Sequence, residues 1–451
     1  MANAVNIRQI VMEMLLEMNT SQTYSHILVR DVQNKYDYLT IQEKSFLKRL
    51  FEGTLERMIE IDYVLNQYSK VKVNKMKPVI RTIMRLSVYQ ILYMDSVPDA
   101  AACNEAVKLA ALKKFSTLKG FVNGVLRNIA RNKENIVYPD RDKELVQFLS
   151  VTYSMPEWIV KKWLAQYDTD TVEQILQGLL KEHPVTIRLL NTEAGEKLLK
   201  QMKQMKIEPK QHVYFADAYV LTGNMESVSE LPGFEEGELT VQDVSSMLSV
   251  ACAGIKEGDT VIDVCAAPGG KTMLAAQYAG KNGKVISRDV SEHKVGMIIE
   301  NLERCHFNNV IPQVWDARET DESEAGMADV VIADLPCSGL GVMGKKRDIK
   351  YHVSEDSLKE VVQLQKEILK AIVPYVKQGG VLLYSTCTIN TEENEQMTEW
   401  ITKEFGLQLE SIEAFLPDSL KKSETAVKGY LQLLPGVHDS DGFFISRFKK
   451  I

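Results

Sequence analysis

The stretch "DVCAAPGGKT", residues 263–272, packs an acid, a tight glycine turn and a lysine into ten positions, a pattern that could cradle a ligand at the end of a strand. Which ligand is a matter of spacing. A phosphate loop needs glycine five positions before its Gly-Lys-Thr, and Cys265 stands there, so a nucleoside triphosphate is a poor fit. A dinucleotide turn wants three spaced glycines. This one has only Gly269 and Gly270, and Pro268 removes an N–H that a pyrophosphate would use. What remains is a row of carboxylates. Asp263 precedes the turn, Asp289 follows Gly269 by 20 residues, Asp316 lies in "VWDAR", and Asp334 opens "DLPCSGLG". Acids at the ends of successive strands suit a ligand that offers ribose hydroxyls, an ammonium and an adenine amine, and they suit polyphosphate badly. Two cysteines stand at neighbouring strand ends, Cys337 in "DLPCSG" and Cys387 in "YSTCT".

These residues need a scaffold that brings strand ends together. From about residue 238 the sequence alternates strand, glycine-bearing loop and helix. The runs "TVIDVCA", "KVISRDV", "VIPQVWD", "ADVVIADLP" and "GGVLLYSTC" are apolar at consecutive positions, as strands covered on both faces of a parallel sheet must be. A doubly wound α/β sheet follows, with ligands at its carboxyl edge. "DGFFISRFKK" is expected to add an antiparallel edge strand. Upstream, "NIRQIVMEMLLEMN", "IQEKSFLKRLFEGTLERMIEIDYVLNQY", "KPVIRTIMRLSVYQILYM" and "AAACNEAVKLAAL" carry apolar residues at three- and four-residue spacing and predict an all-α bundle. Between the two lies a mixed stretch, with helices in "PEWIVKKWLAQY" and "DTVEQILQGLLKE" and short strands in "PVTIRLL" and "AYVLTG". The expected division is a helical domain at 1–138, a small α/β adapter at 139–236 and a catalytic α/β domain at 237–451.

Charge separates the same parts. The chain of 451 residues has a net charge of −7, yet residues 1–138 carry 20 Lys and Arg against 13 Asp and Glu. Residues 63–94 and 106–133 contain basic side chains, among them Lys70, Lys75, Lys119 and Arg131, and no acid. Two such stretches in one helical domain point to a surface for a phosphate backbone, with a merely solvated basic face as the alternative. The six cysteines form no Cys-x-x-Cys pair, which opposes a zinc ribbon or a disulfide framework, and no metal site is expected. No apolar run approaches the roughly 20 residues that cross a bilayer, and the N-terminus lacks a secretory pattern, so a cytoplasmic protein without membrane contact is expected.

Together, "DVCAAPGGKT", "DLPCSGLG", "YSTCT" and "NTEENE" resemble the successive motifs of the RNA cytosine-C5 methyltransferases, and "IMRLSVYQILYM" with "FVNGVLRNIAR" resembles the NusB-like RNA-binding domain. The combination resembles the bacterial ribosomal RNA small subunit methyltransferase B family, also called Sun or Fmu, over essentially the whole chain. The resemblance implies a class I, Rossmann-like methyltransferase sheet that uses S-adenosylmethionine on 16S rRNA, naked or in an early assembly intermediate, with cytosine 967 as the target and no stable protein partner. It implies that the backbone of Cys265, Ala266, Ala267, Pro268, Gly269, Gly270 and Lys271 wraps the methionine part of the cofactor. Asp289 would take the ribose hydroxyls, Asp316 the adenine amine, and Asp334 would lie between cofactor and cytosine. Cys387 would be the nucleophile that adds to C6 of the base, and Cys337 would assist breakdown of the adduct. Two positions depart from the family pattern: Lys294 stands where arginine is usual, and "GKKRDIKY", 344–351, lacks the proline often found before Asp-Ile-Lys. Both bear on RNA contacts and not on the cofactor set.

Several residues have plainer roles. Cys103, Cys252 and Cys305 are expected to be buried packing, as are Trp158 and Trp163, and His438 is expected to be structural or RNA-facing. "NTEENE" reads as a helix start with Thr391 as N-cap and Glu393 and Glu395 near its positive end, while Asn394 could steady the Cys387 loop. Lys271 could favour a thiolate or touch the base. The alternatives are a methyltransferase acting on another rRNA or tRNA site, a non-catalytic ribosome assembly factor, and a dehydrogenase on the same sheet, which the missing glycine fingerprint opposes.

Overall fold

The computed structural model describes residues 6–451 except 22, 224 and 226, together with all their side chains but those of 19, 21, 192 and 193. The first five residues of the expected helical domain thus lie outside the described residues. Two compact units divide the chain. One joins Met1–Lys181 to a short later segment, Met343–His352, and the other holds Glu182–Val342 and Val353–Ile451. The stretch 139–236 therefore splits by compactness: its helices up to Leu180 fall in the first unit, and its strands with the helix Thr192–Gln204 in the second.

The first unit is helical, from Ile7–Ser21 through Lys119–Arg131 and on to Thr169–Leu180. Thr40 and Glu43 form a reciprocal capping box that starts the helix Ile41–Glu56, and Pro78 opens the helix Pro78–Tyr93 where its missing N–H costs nothing. Where these helices cross, a Cβ on Gly53 would sit only 2.0 Å from the Tyr89 hydroxyl, so glycine permits the approach. The stripes of Leu47, Leu50, Phe51, Ile83, Leu86, Leu109 and Leu126 close into one apolar core. Lys70, Lys75, Lys77, Lys114, Lys119 and Arg131 remain exposed, whereas Arg85 is paired with Asp62 and Lys113 with Glu13.

The segment 343–352 belongs to this unit through its polar side chains. Asp348 is fully buried and accepts from the Ser25 N–H at 2.8 Å and its hydroxyl at 2.6 Å. Arg347 pairs with Glu56 at 2.8 Å and with Glu52, and the Tyr351 hydroxyl donates to the Leu55 carbonyl at 2.7 Å. The "RDIKY" side chains, read from sequence as RNA-contact residues, are spent on protein contacts. Lys350 is buried, and its amine donates to the carbonyls of Glu56 (2.7 Å) and Ser154 (2.6 Å).

The second unit contains two sheets. Four antiparallel strands, β1 (Val185–Leu189), β2 (Ile207–Gln211), β3 (Ala218–Gly223) and β4 (Leu239–Val241), run in the order β2-β3-β1-β4 and pack Ile187, Leu189, Ile207 and Leu221 against the helix Thr192–Gln204. The larger sheet has β5 (Thr260–Asp263), β6 (Lys284–Asp289), β7 (Val310–Val314), β8 (Ala328–Asp334), β9 (Val376–Thr386), β10 (Gln408–Leu409), β11 (Tyr430–Leu433) and β12 (Phe443–Lys449). Its order is β10-β12-β9-β8-β5-β6-β7, with β11 also on β12. The strands from β7 to β9 are parallel, and consecutive residues face opposite cores: Val261, Val330 and Val381 on one side, Ile262, Val331 and Leu382 on the other. Order reverses at β5, which opens a crevice beyond the carboxyl ends of β5 and β8. Two expectations need correction. β12 is antiparallel but interior, flanked by β9 on one side and β10 and β11 on the other. The "VIPQV" run is an edge strand, half exposed, because only β6 pairs with it.

Burial pulls the Lys350 amine down to about 7, against the field of Glu56, and a neutral amine has two hydrogens for its two carbonyls. The unfolded chain then binds this proton more tightly, so the stability of the helical unit should rise with pH from about 7 towards the ordinary lysine value. Lys350→Met should remove that slope and lower the melting temperature, since each orphaned carbonyl costs roughly 1–3 kcal/mol. Thermal melts across this pH range check both.

Candidate active site

The glycine turn leaves β5 at Asp263 and enters the helix Gly270–Ala279. Gly269 holds φ at +104°, a conformation that a side chain would strain. The turn is laced to its neighbours: the Ala266 N–H donates to the Arg288 carbonyl at 2.9 Å, the Ala267 N–H to Asp289 at 3.0 Å, and Asn301 to the Pro268 carbonyl at 3.0 Å. The smaller sheet braces it from behind. Arg188 of β1, 1% exposed, donates to Gln242 at 2.8 Å, and Gln242 donates to the Gly270 carbonyl at 3.1 Å. The helix's first amides, on Gly270, Lys271 and Thr272, have no intrahelical acceptor and suit a ligand carboxylate.

Each expected acid lies at a strand end, in a different setting. Asp289, buried at the end of β6, accepts from Ala267 and Val290 N–H groups and pairs with Lys294 at 3.0 Å, which corrects the expectation that the lysine at 294 leaves the expected cofactor residues untouched. Asp316, two residues beyond β7, is gripped by the Arg318 guanidinium at 2.6 Å, which holds its carboxyl below the usual range. Asp334 accepts from the Ser385 hydroxyl at 2.7 Å and pairs with Lys271 at 2.7 Å. Burial alone would lower the Lys271 amine, but Asp334, Asp263 and Cys387 more than offset it, so the ammonium is retained. Burial first, and then Asp289, Asp263 and Asp334, push the Cys265 thiol well up.

Cys337 and Cys387 meet, with their sulfurs 3.2 Å apart. The Cys337 thiol is raised well above its ordinary value by this neighbour first and by burial second. Their loops are stitched together. The Leu335 N–H donates to the Ser385 carbonyl, the Gly341 N–H to the Cys387 carbonyl at 3.1 Å, and the Ser338 hydroxyl lies 2.6 Å from that of Thr388. Asn394 steadies the Cys387 loop, accepting from Thr386 at 2.6 Å and donating to the Thr388 carbonyl and Gln432. The "NTEENE" reading needs correction: the helix begins only at Glu395, Thr391 does not cap it with its side chain, and Glu393 is buried among neutral donors of both cysteine loops. His438 closes a turn by accepting from the Leu434 N–H, and Cys103, Cys252, Cys305 and Trp163 are core.

One residue that sequence reasoning left without a role is Asp263. It is buried, one oxygen accepts from Thr272 at 2.7 Å, and the other has no partner. Burial pushes it up to about 7. An orphaned carboxylate oxygen beside a glycine turn, with further acids at the next strand ends, fits a ligand that brings an ammonium, a sulfonium and hydroxyls, which is the chemistry of S-adenosylmethionine. No group of three or more metal-ligating side chains occurs among the described residues, and no helix among them is long and apolar enough to cross a membrane.

Sheet, glycine turn and bundle define an S-adenosylmethionine-dependent methyltransferase with a NusB-type helical domain and a ferredoxin-like small domain. Family models agree: the 16S rRNA methyltransferase RsmB/F model matches residues 251–449, the NusB family model 5–131, and the ferredoxin-like domain model of the same methyltransferases 155–227. The chain is 35% identical over 450 residues, 99% of both chains, to the Bacillus subtilis protein described as "Probable ribosomal RNA small subunit methyltransferase B". It is 29% identical over 453 residues, all of both chains, to the ribosomal RNA small subunit methyltransferase B of Yersinia enterocolitica. The crystal structure of PH0851 superposes with a TM-score of 0.79 over 99% of each chain at 24% identity. That of a methyltransferase homologue from Pyrococcus horikoshii gives 0.58 at 25% identity, over 68% of this chain and 99% of its own. The chain belongs to the ribosomal RNA small subunit methyltransferase B family.

Calorimetric titration should show S-adenosylmethionine binding and no binding of NAD. Asp289→Ala should weaken the cofactor on the order of 10- to 100-fold, the worth of charge-assisted hydrogen bonds of about 1.5–3 kcal/mol.

Proposed function

We propose that this protein methylates C5 of a cytosine in 16S rRNA, cytosine 967 by family likeness, through a covalent bond between Cys387 and C6 of the base. The observation that carries this reading is the 3.2 Å contact between the two sulfurs. C5 of cytosine is a weak nucleophile until something adds at C6, and a thiolate does this by covalent catalysis. Family likeness makes Cys387 the nucleophile, and Cys337, with its Sγ 3.2 Å away, stands within hydrogen-bond reach of it.

Bound S-adenosylmethionine would supply a methyl group carried on a sulfonium, with Cys265 to Lys271 wrapping its methionine part, Asp289 at its ribose and Asp316 at its adenine. The residues of this chain do the rest. Cys387 Sγ adds to C6, and the electron pair displaced into the ring makes C5 an enamine carbon. Asp334 bonds the pyrimidine edge at N3 or N4, and the Lys271 ammonium, fixed 2.7 Å from Asp334, stabilises charge as it builds up in the ring. After C5 has accepted the methyl group, its proton passes to water, the electrons of that C–H bond re-form the ring double bond and the Cys387 sulfur leaves C6 as a thiolate, with Cys337 assisting that breakdown. The base must leave its stack to reach the sulfurs at a cost of a few kcal/mol, which favours a looped or single-stranded target in naked or early-assembling rRNA. The exposed cations of the helical unit supply the phosphate-backbone surface.

Cys387→Ala should abolish methylation and form no adduct. Cys337→Ala should accumulate a covalent protein–RNA band on denaturing gels, and the opposite pattern would exchange the two roles. Bisulfite sequencing of rRNA from a deletion strain identifies the missing methylcytosine. Lys75→Glu with Lys119→Glu should weaken RNA binding and reduce the salt slope by about one for each phosphate no longer neutralised, leaving cofactor affinity unchanged.

A further inference from the structure

Ser338 follows Cys337 in the chain, and Asn390 stands three residues beyond Cys387. Both donate to the same side chain. Glu393, fully buried, accepts at Oε2 from the Ser338 N–H (2.9 Å) and from Gln365 Nε2 (3.0 Å), and at Oε1 from Asn390 Nδ2 (2.8 Å) and the Ser338 hydroxyl. Gln365, on the helix Glu355–Ile372, also donates to the Pro336 carbonyl at 3.0 Å. The peptide units on both sides of Cys337 are thereby pinned, one directly by the carboxylate and the other through Gln365. The backbone of Glu393 is fixed in turn, because its carbonyl accepts from the Tyr384 hydroxyl of β9 at 2.5 Å.

All four of these donors are neutral: a backbone amide, a hydroxyl and two side-chain amides. Burying a carboxylate among neutral donors is expensive unless every lone pair is used, and an ordinary helix-start glutamate would sit in water. Here the two oxygens meet four donors drawn from three separate pieces of chain. Such an arrangement serves the relative placement of those pieces.

We propose that Glu393 is the positioning residue that sets Cys337 against Cys387, and that through Cys337 it governs release of the methylated base. This rests on the reading in which Cys387 adds to the base and Cys337 assists breakdown of the adduct. The Cys387 loop has supports of its own in Asn394 and in the Gly341 N–H on the Cys387 carbonyl. The Cys337 loop is also tied to Thr388 by the Ser338 hydroxyl and the Leu340 N–H, but the two peptide units that flank Cys337 are held by Glu393 and by Gln365, which Glu393 itself binds. Loosening the carboxylate should therefore impair release more than addition.

Glu393→Gln tests this in the full-length protein, since it keeps the size and turns one of the two acceptor oxygens into a donor, which meets either the N–H groups of Ser338 and Gln365 or the Asn390 amide and the Ser338 hydroxyl. The expected result is a fall in kcat on the order of 100-fold, as for a misplacement of about 1 Å, with KM for RNA and cofactor little changed. A covalent RNA adduct should accumulate, as with Cys337→Ala. The double variant Glu393→Gln with Cys337→Ala should be no slower than Cys337→Ala alone, because both act on one step. A purely structural role would instead lower the melting temperature, reduce adduct formation and turnover together, and multiply with Cys337→Ala; that pattern would overturn the proposal. Should Glu393→Gln fold poorly, Ser338→Ala removes only the hydroxyl donor and should give a smaller adduct build-up, and wild-type release in that variant would count against the clamp. The underlying reading fails separately: if Cys387→Ala still methylates, the chemistry is wrong, whereas if Cys337→Ala traps an adduct and Glu393→Gln does not, only the role of Glu393 falls.

Discussion

Everything at this site depends on the register of one parallel strand pair. In the ladder between β8 and β9, Asp334 lies opposite Ser385, and the Ser385 hydroxyl donates to the Asp334 carboxylate. Three residues beyond one partner comes Cys337, and two beyond the other comes Cys387, so the register itself delivers two sulfurs to one point. A slip by one residue would turn every side chain of a strand to the opposite face and send Asp334 into an apolar core. The cost of burying that acid without a partner makes the register self-enforcing. The cores on the two sheet faces, with Val330 and Ile332 on one side and Val331 and Ala333 on the other, enforce it again.

The strand-end acids extend this logic across the sheet. Asp263, Asp289 and Asp334 close β5, β6 and β8, and Lys271 and Lys294 pair with two of the three. The crevice thus holds two paired carboxylates and a third, Asp263, pushed up to about 7, against a helix start whose amides point the other way. Polyphosphate would be repelled by the carboxylates, whereas a ligand with a cationic centre near its middle and a carboxylate at one end matches both. The same field bears on turnover, because carboxylates that hold a sulfonium hold an uncharged thioether less firmly.

Much of this was legible in the sequence, because strands buried on both faces announce themselves as apolar runs and the acids that end them stand out. Asp289 and Asp334, the glycine turn and both cysteines are brought to the same edge of the sheet, as their positions at strand ends implied. Other features were illegible because they depend on tertiary partners. Glu393 and Glu395 look equivalent in "NTEENE", yet only Glu393 meets Ser338, 55 residues away. The "RDIKY" stretch was tied to RNA contacts, and nothing local reveals that Glu52, Glu56 and Ser25 wait some 300 residues upstream to bury it. Asp316 stood out, but its grip on Arg318 two residues on did not. The strand "DGFFISRFKK" was recognised by its apolar run and misplaced, since such a run tells that a strand is buried and not which neighbours pair with it.

These failures share a cause that also explains why the site can be precise. A buried polar group is costly alone and cheap when all its partners are present, so a network such as that of Glu393, Ser338, Gln365 and Asn390 holds one geometry and tolerates few others. Apolar packing is permissive, since a core accepts many residues of suitable volume. The sheet can therefore be read from hydrophobic pattern, which many sequences satisfy. The spacing of two sulfurs is set instead by polar groups whose partners lie far apart in the chain, and nothing in the local sequence announces those partners.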